Sequence, residues 1–169
     1  MAARRPFNLD EKVEVRMQDG EFAGAVYGGV IKSVWNHRYE VKMTTLTDGA
    51  SGGPLNVHVE FSYLQPVPPK VLVEFKQFDF VEVWYRRGWW PAAIVRKTPF
   101  NQFHVILVDG TRLFVDESEL RIHQRRMEIK LGKDVSVLEK RKICVDSRAV
   151  IDYAVRVADP SNQPLRPRC

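Results

Sequence analysis

The sequence predicts an all-β protein made of two small barrels in tandem, followed by a C-terminal extension. Three observations predict it: an internal repeat, period-two alternation of apolar residues inside each copy, and Asp-Gly pairs where the chain must reverse. Helix signals are poor, because β-branched and aromatic residues dominate and no long 3.6-residue apolar stripe is present. Five short strands in roughly 55 residues suit a small SH3-like barrel, which closes its sheet and so limits exposed edges.

The repeat sets residues 12–66 on residues 80–122. "KVEV" (12–15) falls on "FVEV" (80–83), so Val13/Val15 and Val81/Val83 open each copy with the same inward pair. "YGGVIKSVWNHRYEVKM" (27–43) falls on "PAAIVRKTPFNQFHVIL" (91–107), placing Val30 on Ile94, Tyr39 on Phe103 and Val41 on Val105. "HVEFSYLQP" (58–66) falls on "FVDESELRI" (114–122), with Val59 on Val115 and Leu64 on Leu120. Asp19-Gly20, Asp48-Gly49 and Asp109-Gly110 mark turns, since both residue types tolerate positive φ. The expected boundaries are 7–69 for the first barrel and 76–125 for the second, with the proline-stiffened "PVPPK" (66–70) between them. Residues 126–158, with "DVSVL" and "VIDYAVRV", are expected to form a β-rich extension or a degenerate third unit. The proline-rich 159–169 is expected to be disordered.

The chain has 169 residues and a formal charge of +5, which leans toward an acidic partner such as nucleic acid. No apolar run approaches the ~20 residues needed to cross a bilayer, and no apolar segment follows "MAARRPFNLDEK", so neither a membrane nor a secretory signal is expected. Two cysteines, Cys144 and Cys169, do not make a disulfide scaffold and fit a reducing compartment. The four histidines lie far apart and none joins Cys144 at a metal-ligand spacing. No nucleophile elbow or phosphate loop occurs, and the glycine-rich "DGASGG" (48–53) reads as a hairpin loop. The expectation is therefore a non-enzyme with no catalytic residue, metal or cofactor. Asp116, Glu117 and Glu119 read as a solvated face or a site for a basic peptide.

The functional signal is "VEVWYRRGWWPAAIV" (81–95), which puts Trp84, Tyr85, Trp89 and Trp90 within ten residues around two arginines and a glycine. With "SELRIHQRR" (118–126), and with "VEVRMQDGEFAGAVYGGVI" and "YLQPVPP" in the first copy, it resembles the plant tandem Agenet module, a Tudor-like branch of the royal superfamily. The resemblance covers about residues 7–125 and implies a nuclear reader of the histone H3 tail, often at a methylated lysine. A methylated ammonium keeps its charge but sheds donors, so it favours a box of π faces, each contributing about 0.5–2 kcal/mol. Carried onto this chain, the resemblance makes Trp84 and Trp90 walls of the second unit's box, with Asp109 meeting the cation. In the first unit the corresponding places hold Arg16 and Tyr27, with Phe22 and Trp35 as contributors from neighbouring loops. The sequence departs from the family pattern at Val26, where Trp-Tyr is favoured, and at Leu107-Val108, where an aromatic often stands.

Trp89 is expected to be packing, whereas Phe103, Val105, Ile94, Val81 and Val83 alternate inward as core. The rival function is nucleic-acid binding through Arg86, Arg87, Arg96 and Lys97, which flank the aromatics as stacking sites require. A scaffold holding a non-histone protein peptide in the groove between the barrels is the third class.

Overall fold

The computed structural model describes residues 6–123. The expected strands at 134–138 and 150–157, the extension 126–158, the tail 159–169 and both cysteines lie outside these residues.

Among the described residues ten strands form: β1 (Lys12–Arg16), β2 (Val26–Trp35), β3 (Arg38–Thr47), β4 (Pro54–Glu60), β5 (Leu64–Pro66), β6 (Phe80–Tyr85), β7 (Gly88–Lys97), β8 (Phe103–Leu107), β9 (Arg112–Val115) and β10 (Leu120–Ile122). Among the described residues the helical elements are three single 3-10 turns, at Gly20–Phe22, Phe61–Tyr63 and Glu117–Glu119. The protein is all-β.

The chain divides into two compact units, and the division does not follow the repeat. Residues up to Lys70 form the first together with Trp84–Trp90; Val71–Val83 and the chain from Pro91 onward form the second. Within the first, β1 pairs with both β2 and β5, and β3 links β2 to β4, all antiparallel. In the second, β6 lies between β10 and β7, β7 is followed by β8, and β8 pairs with β9. Both have the five-strand order of an SH3-like barrel, in which a 3-10 turn redirects the chain so that the last strand closes on the first.

Period-two alternation fills each core. Val13, Val15, Ile31, Val41, Met43 and Leu64 are buried in the first unit; Val81, Val83, Ile94, Phe103, Val105 and Leu107 are buried in the second. Each such side chain contributes about 1.5–3 kcal/mol when removed from water. Phe7 sits edge-on to Tyr39 at 6.2 Å, and Phe75 is edge-on to Phe103 at 6.1 Å, so each unit has a phenylalanine ahead of its first strand on the same core ring.

The repeat needs one correction. Ile31, not Val30, is the structural partner of Ile94: Ile31 pairs with Val41 as Ile94 pairs with Val105. A bulge follows each, between Ile31 and Ser33 and between Ile94 and Arg96, and the turn after it is longer in the second unit. The added turn residue absorbs the offset, so β2 slips by one while Tyr39 and Phe103 remain equivalent. A slip of one residue exchanges the faces of a strand. With the corrected register Val26-Tyr27 corresponds to Trp89-Trp90.

Candidate functional site

The aromatic stretch of the second copy reports to the first unit. β6 and β7 are joined by Arg86 and Arg87, at φ 45° and 63°. Two successive left-handed residues make the tight hairpin turn, but asparagine or glycine normally occupies such positions because a side chain there is strained. The first unit's own hairpin uses Asn36 and His37 for the same geometry, at φ 48° and 65°. The Arg86-Arg87 turn is held from outside: the Thr45 hydroxyl donates to the Arg87 carbonyl at 2.9 Å, and the Tyr27 hydroxyl donates to the Arg86 carbonyl at 3.4 Å.

Tyr27 is fully buried beneath this tip, edge-on to Phe22 at 5.7 Å. A Cβ on Gly88 would stand 2.5 Å from the Tyr27 ring, so only glycine lets the backbone lie on that ring. Val26 pairs with Trp89, adding a rung of ladder to the contact. Burial pushes the Tyr27 hydroxyl above its usual range, while the Trp90 indole and Arg86 pull in the opposite direction. The Trp90 N–H exerts that pull without completing a hydrogen bond, although it is buried.

Alternation along the hairpin puts Trp84 and Trp89 in edge contact at 5.2 Å and Tyr85 and Trp90 in edge contact at 6.0 Å. Trp84 is 38% exposed and Trp90 only 7%. Trp84 with the half-buried Trp89 is therefore the reachable aromatic surface, and Trp90 is buried with Tyr85 as its ring neighbour. The Arg86 guanidinium stands 5.3 Å over the Tyr85 ring and 3.8 Å from the Glu21 carboxylate. A cation on a π face beside a carboxylate is thus already present at the tip.

The remaining sequence candidates stand on several different elements. Phe22 is half-buried on Tyr27. Trp35 is 80% exposed at the β2–β3 turn, the opposite end of β2 from Tyr27. Asp109 belongs to the second unit, in the β8–β9 turn, where its carboxylate accepts the Thr111 N–H at 2.9 Å. The four basic candidates also divide: Arg86 and Arg87 belong to the first unit, Arg96 and Lys97 to the second. Lys97 lies over the Phe103 ring at 5.2 Å. Glu119 folds back to accept the Asp116 N–H at 2.9 Å, giving two of the clustered carboxylates a local turn-forming role. Asp48 likewise organises "DGASGG", accepting from the Ala50 N–H and the Ser51 hydroxyl, and these bonds hold its pKa below the usual carboxylate range.

Sequence reasoning missed an open groove of about 580 Å³ in the first unit, lined by Arg16, Asp19, Arg38, Val57, Glu60 and Tyr63 among others. Its walls come from β1, β3, β4 and the turn after β4, and no local motif announces such a convergence. Among the described residues no group of three or more His, Cys, Asp or Glu stands together as a metal site, and no helix is long and apolar enough to cross a membrane.

Residues 10–69 match the family model described as the Agenet domain. Two relatives come from Arabidopsis thaliana. DUF724 domain-containing protein 3 is 29% identical over 104 residues, 55% of this chain and 14% of that protein. DUF724 domain-containing protein 6 is 24% identical over 157 residues, 88% of this chain and 22% of that protein. The chain thus spans at most about a fifth of the length of these relatives. Among solved structures, AGDP1 AGD34 of Arabidopsis thaliana superposes with a TM-score of 0.65 at 20% identity, covering 69% of this chain and 82% of that one. The ADCP1 tandem Agenet domain 3-4 superposes with a TM-score of 0.61 at 19% identity, covering 69% and 80%. Residues 10–69 are thus similar to the Agenet domain, the two relatives are plant proteins, and the chain shares the fold of solved tandem Agenet structures over 69% of its length.

Proposed function

We propose that this chain is a non-catalytic chromatin reader that takes a histone H3 tail, at a methylated lysine, on the aromatic surface of the Trp84–Trp90 tip. The observation that carries the reading is the Trp84–Trp89 pair, two reachable indoles in edge contact within a hairpin fixed by Tyr27, Thr45 and Gly88. A rigid aromatic surface gains more from a cation than a mobile one, because little ordering entropy is lost on binding. The contact of Arg86 with the Tyr85 ring and with Glu21 supports the reading, since the tip already pairs a cation with a π face and a carboxylate. A nuclear location follows from this function and is part of the proposal.

The test is titration of the whole chain with unmodified and methylated H3 peptides at physiological salt, repeated with Trp84→Ala. Loss of one π face is expected to weaken a methylated peptide about 2- to 30-fold, from the ~0.5–2 kcal/mol of a cation–π contact. Trp84 is the residue to change, because truncating the buried Trp90 would also cost about 3–5 kcal/mol of packing. Equal binding of modified and unmodified tails would make the site a peptide scaffold. Unchanged affinity in Trp84→Ala would remove the tip from the site.

A further inference from the structure

On the second unit, Arg96 of β7 pairs with His104 of β8, and His104 pairs with Phe114 of β9, forming one cross-strand row. Arg112, two residues before Phe114, shares its face of the strand. Phe114 is 58% exposed and lies flat on His104, with ring centroids 4.8 Å apart and planes 17° apart. The imidazole beneath is buried, and burial together with Arg96 and Arg112 holds its pKa below the ordinary histidine value, so it is neutral at pH 7. Its Nδ1 atom is buried and without a hydrogen-bond partner. The stacked pair presents a single broad π face between two guanidinium groups. Asp116 adds one carboxylate nearby, and it accepts from Gln102 at 3.4 Å.

The fold does not require this row. In the first unit the same register holds Ser33, Glu40 and His58, with the Ser33 hydroxyl donating to Glu40 at 2.9 Å. Asn56 takes the place of Arg112. Two barrels of the same strand order thus carry a polar, acidic row in one and a basic, aromatic row in the other. Among the described residues β9 pairs with β8 alone, and an exposed phenylalanine there adds no core and invites aggregation, so packing within these residues does not account for it.

We infer that this row is a contact surface for single-stranded nucleic acid: an unpaired base stacks on the outer face of Phe114 while Arg96 and Arg112 meet the flanking phosphates. Stacking on an aromatic face is sequence-tolerant, because every base offers a π surface, and the guanidinium forks suit phosphate oxygens. A phosphorylated peptide would use the arginines but would leave the aromatic face unused, so the stack decides between the two occupants.

The experiment is fluorescence anisotropy of a labelled oligothymidylate titrated with the whole chain over a salt series. Phe114→Ala and Phe114→Leu are each expected to weaken binding about 5-fold or more, with Phe114→Tyr retaining it. Leucine keeps the bulk and removes the π face, so its loss cannot be assigned to a packing defect when tyrosine binds. The double variant Arg96→Ala, Arg112→Ala is expected to flatten the plot of log affinity against log salt by about 1.4, the release of two phosphate contacts on a single strand. Absence of binding overturns the inference, and so does binding that Phe114→Leu leaves intact. Competition by a phosphopeptide that depends on the arginines and ignores Phe114 would overturn it in favour of a phosphopeptide site.

Discussion

The two units solve the same closure problem with different chemistry. The middle residue of "VEV" is a buried glutamate in both: Glu14 is 3% exposed and Glu82 is 1% exposed. Each stands directly across from a residue of the closing strand, Gln65 in the first unit and Arg121 in the second. In the first, the Gln65 amide donates to Glu14 at 2.8 Å, and Arg16 in turn donates to Gln65 at 3.3 Å. In the second, Arg121 donates directly to Glu82 at 2.6 Å, and His123 lies 3.8 Å from the other carboxylate oxygen. A carboxylate taken out of water must be compensated, and a barrel is free to do it with a relayed amide or with a direct ion pair. The equivalent position two residues along the first strand then diverges: Arg16 serves the relay, and Trp84 is partly exposed.

The comparison is broken most sharply by removing the compensation. Arg121→Met is expected to destabilise the protein by about 3–5 kcal/mol, because it removes the arginine of a buried ion pair, whereas Gln65→Met should cost about 1.5–3 kcal/mol, the value of a hydrogen bond to a charged group. Urea unfolding of both variants checks this, and equal losses would mean that the relay and the ion pair are worth the same. Gly88→Val comes next in size. Its new methyl groups are driven into the Tyr27 ring, and about 1–3 kcal/mol of overpacking is expected. Were Gly88→Val as stable as the parent, the seat of the tip on Tyr27 would not be a fixed feature of the first unit.

The smallest effect is a pH dependence confined to the second unit's row. His104 has a folded-state pKa below its unfolded value of about 6.5, so the unfolded chain binds the proton more readily. Its contribution to stability is fully present above pH 6.5 and is lost as pH falls from there through the depressed folded value. Replacing His104 with phenylalanine should flatten the stability profile in that window, measured by urea midpoints at a series of pH values.

Much of this was legible in sequence because the governing physics is local. Alternation and Asp-Gly turns report a pleated strand and a reversal within a few residues, and the repeat doubled every such signal. The slip between Val30 and Ile31 was not legible, because a bulge and a longer turn cancel in the count and only strand pairing reveals which residue faces inward. Alternation sets Glu14 and Glu82 on the face opposite the inward valines, yet both are buried and paired with the closing strand. The tip residues could be recognised as unusual, but their roles could not be assigned: Trp90, a candidate wall, is buried, and Trp89, expected as packing, lies at the reachable face with Trp84.

By itself, then, the sequence determined the class of fold and the duplication, because strand periodicity and turn chemistry are properties of neighbouring residues. Only the tertiary structure decided that Trp84–Trp90 belongs with the first unit, that Gly88 exists for the ring of Tyr27, and that Phe114 lies stacked on His104 between two arginines. Those facts join residues tens of positions apart, and they rest on close approach and shared burial, which no short window of sequence encodes.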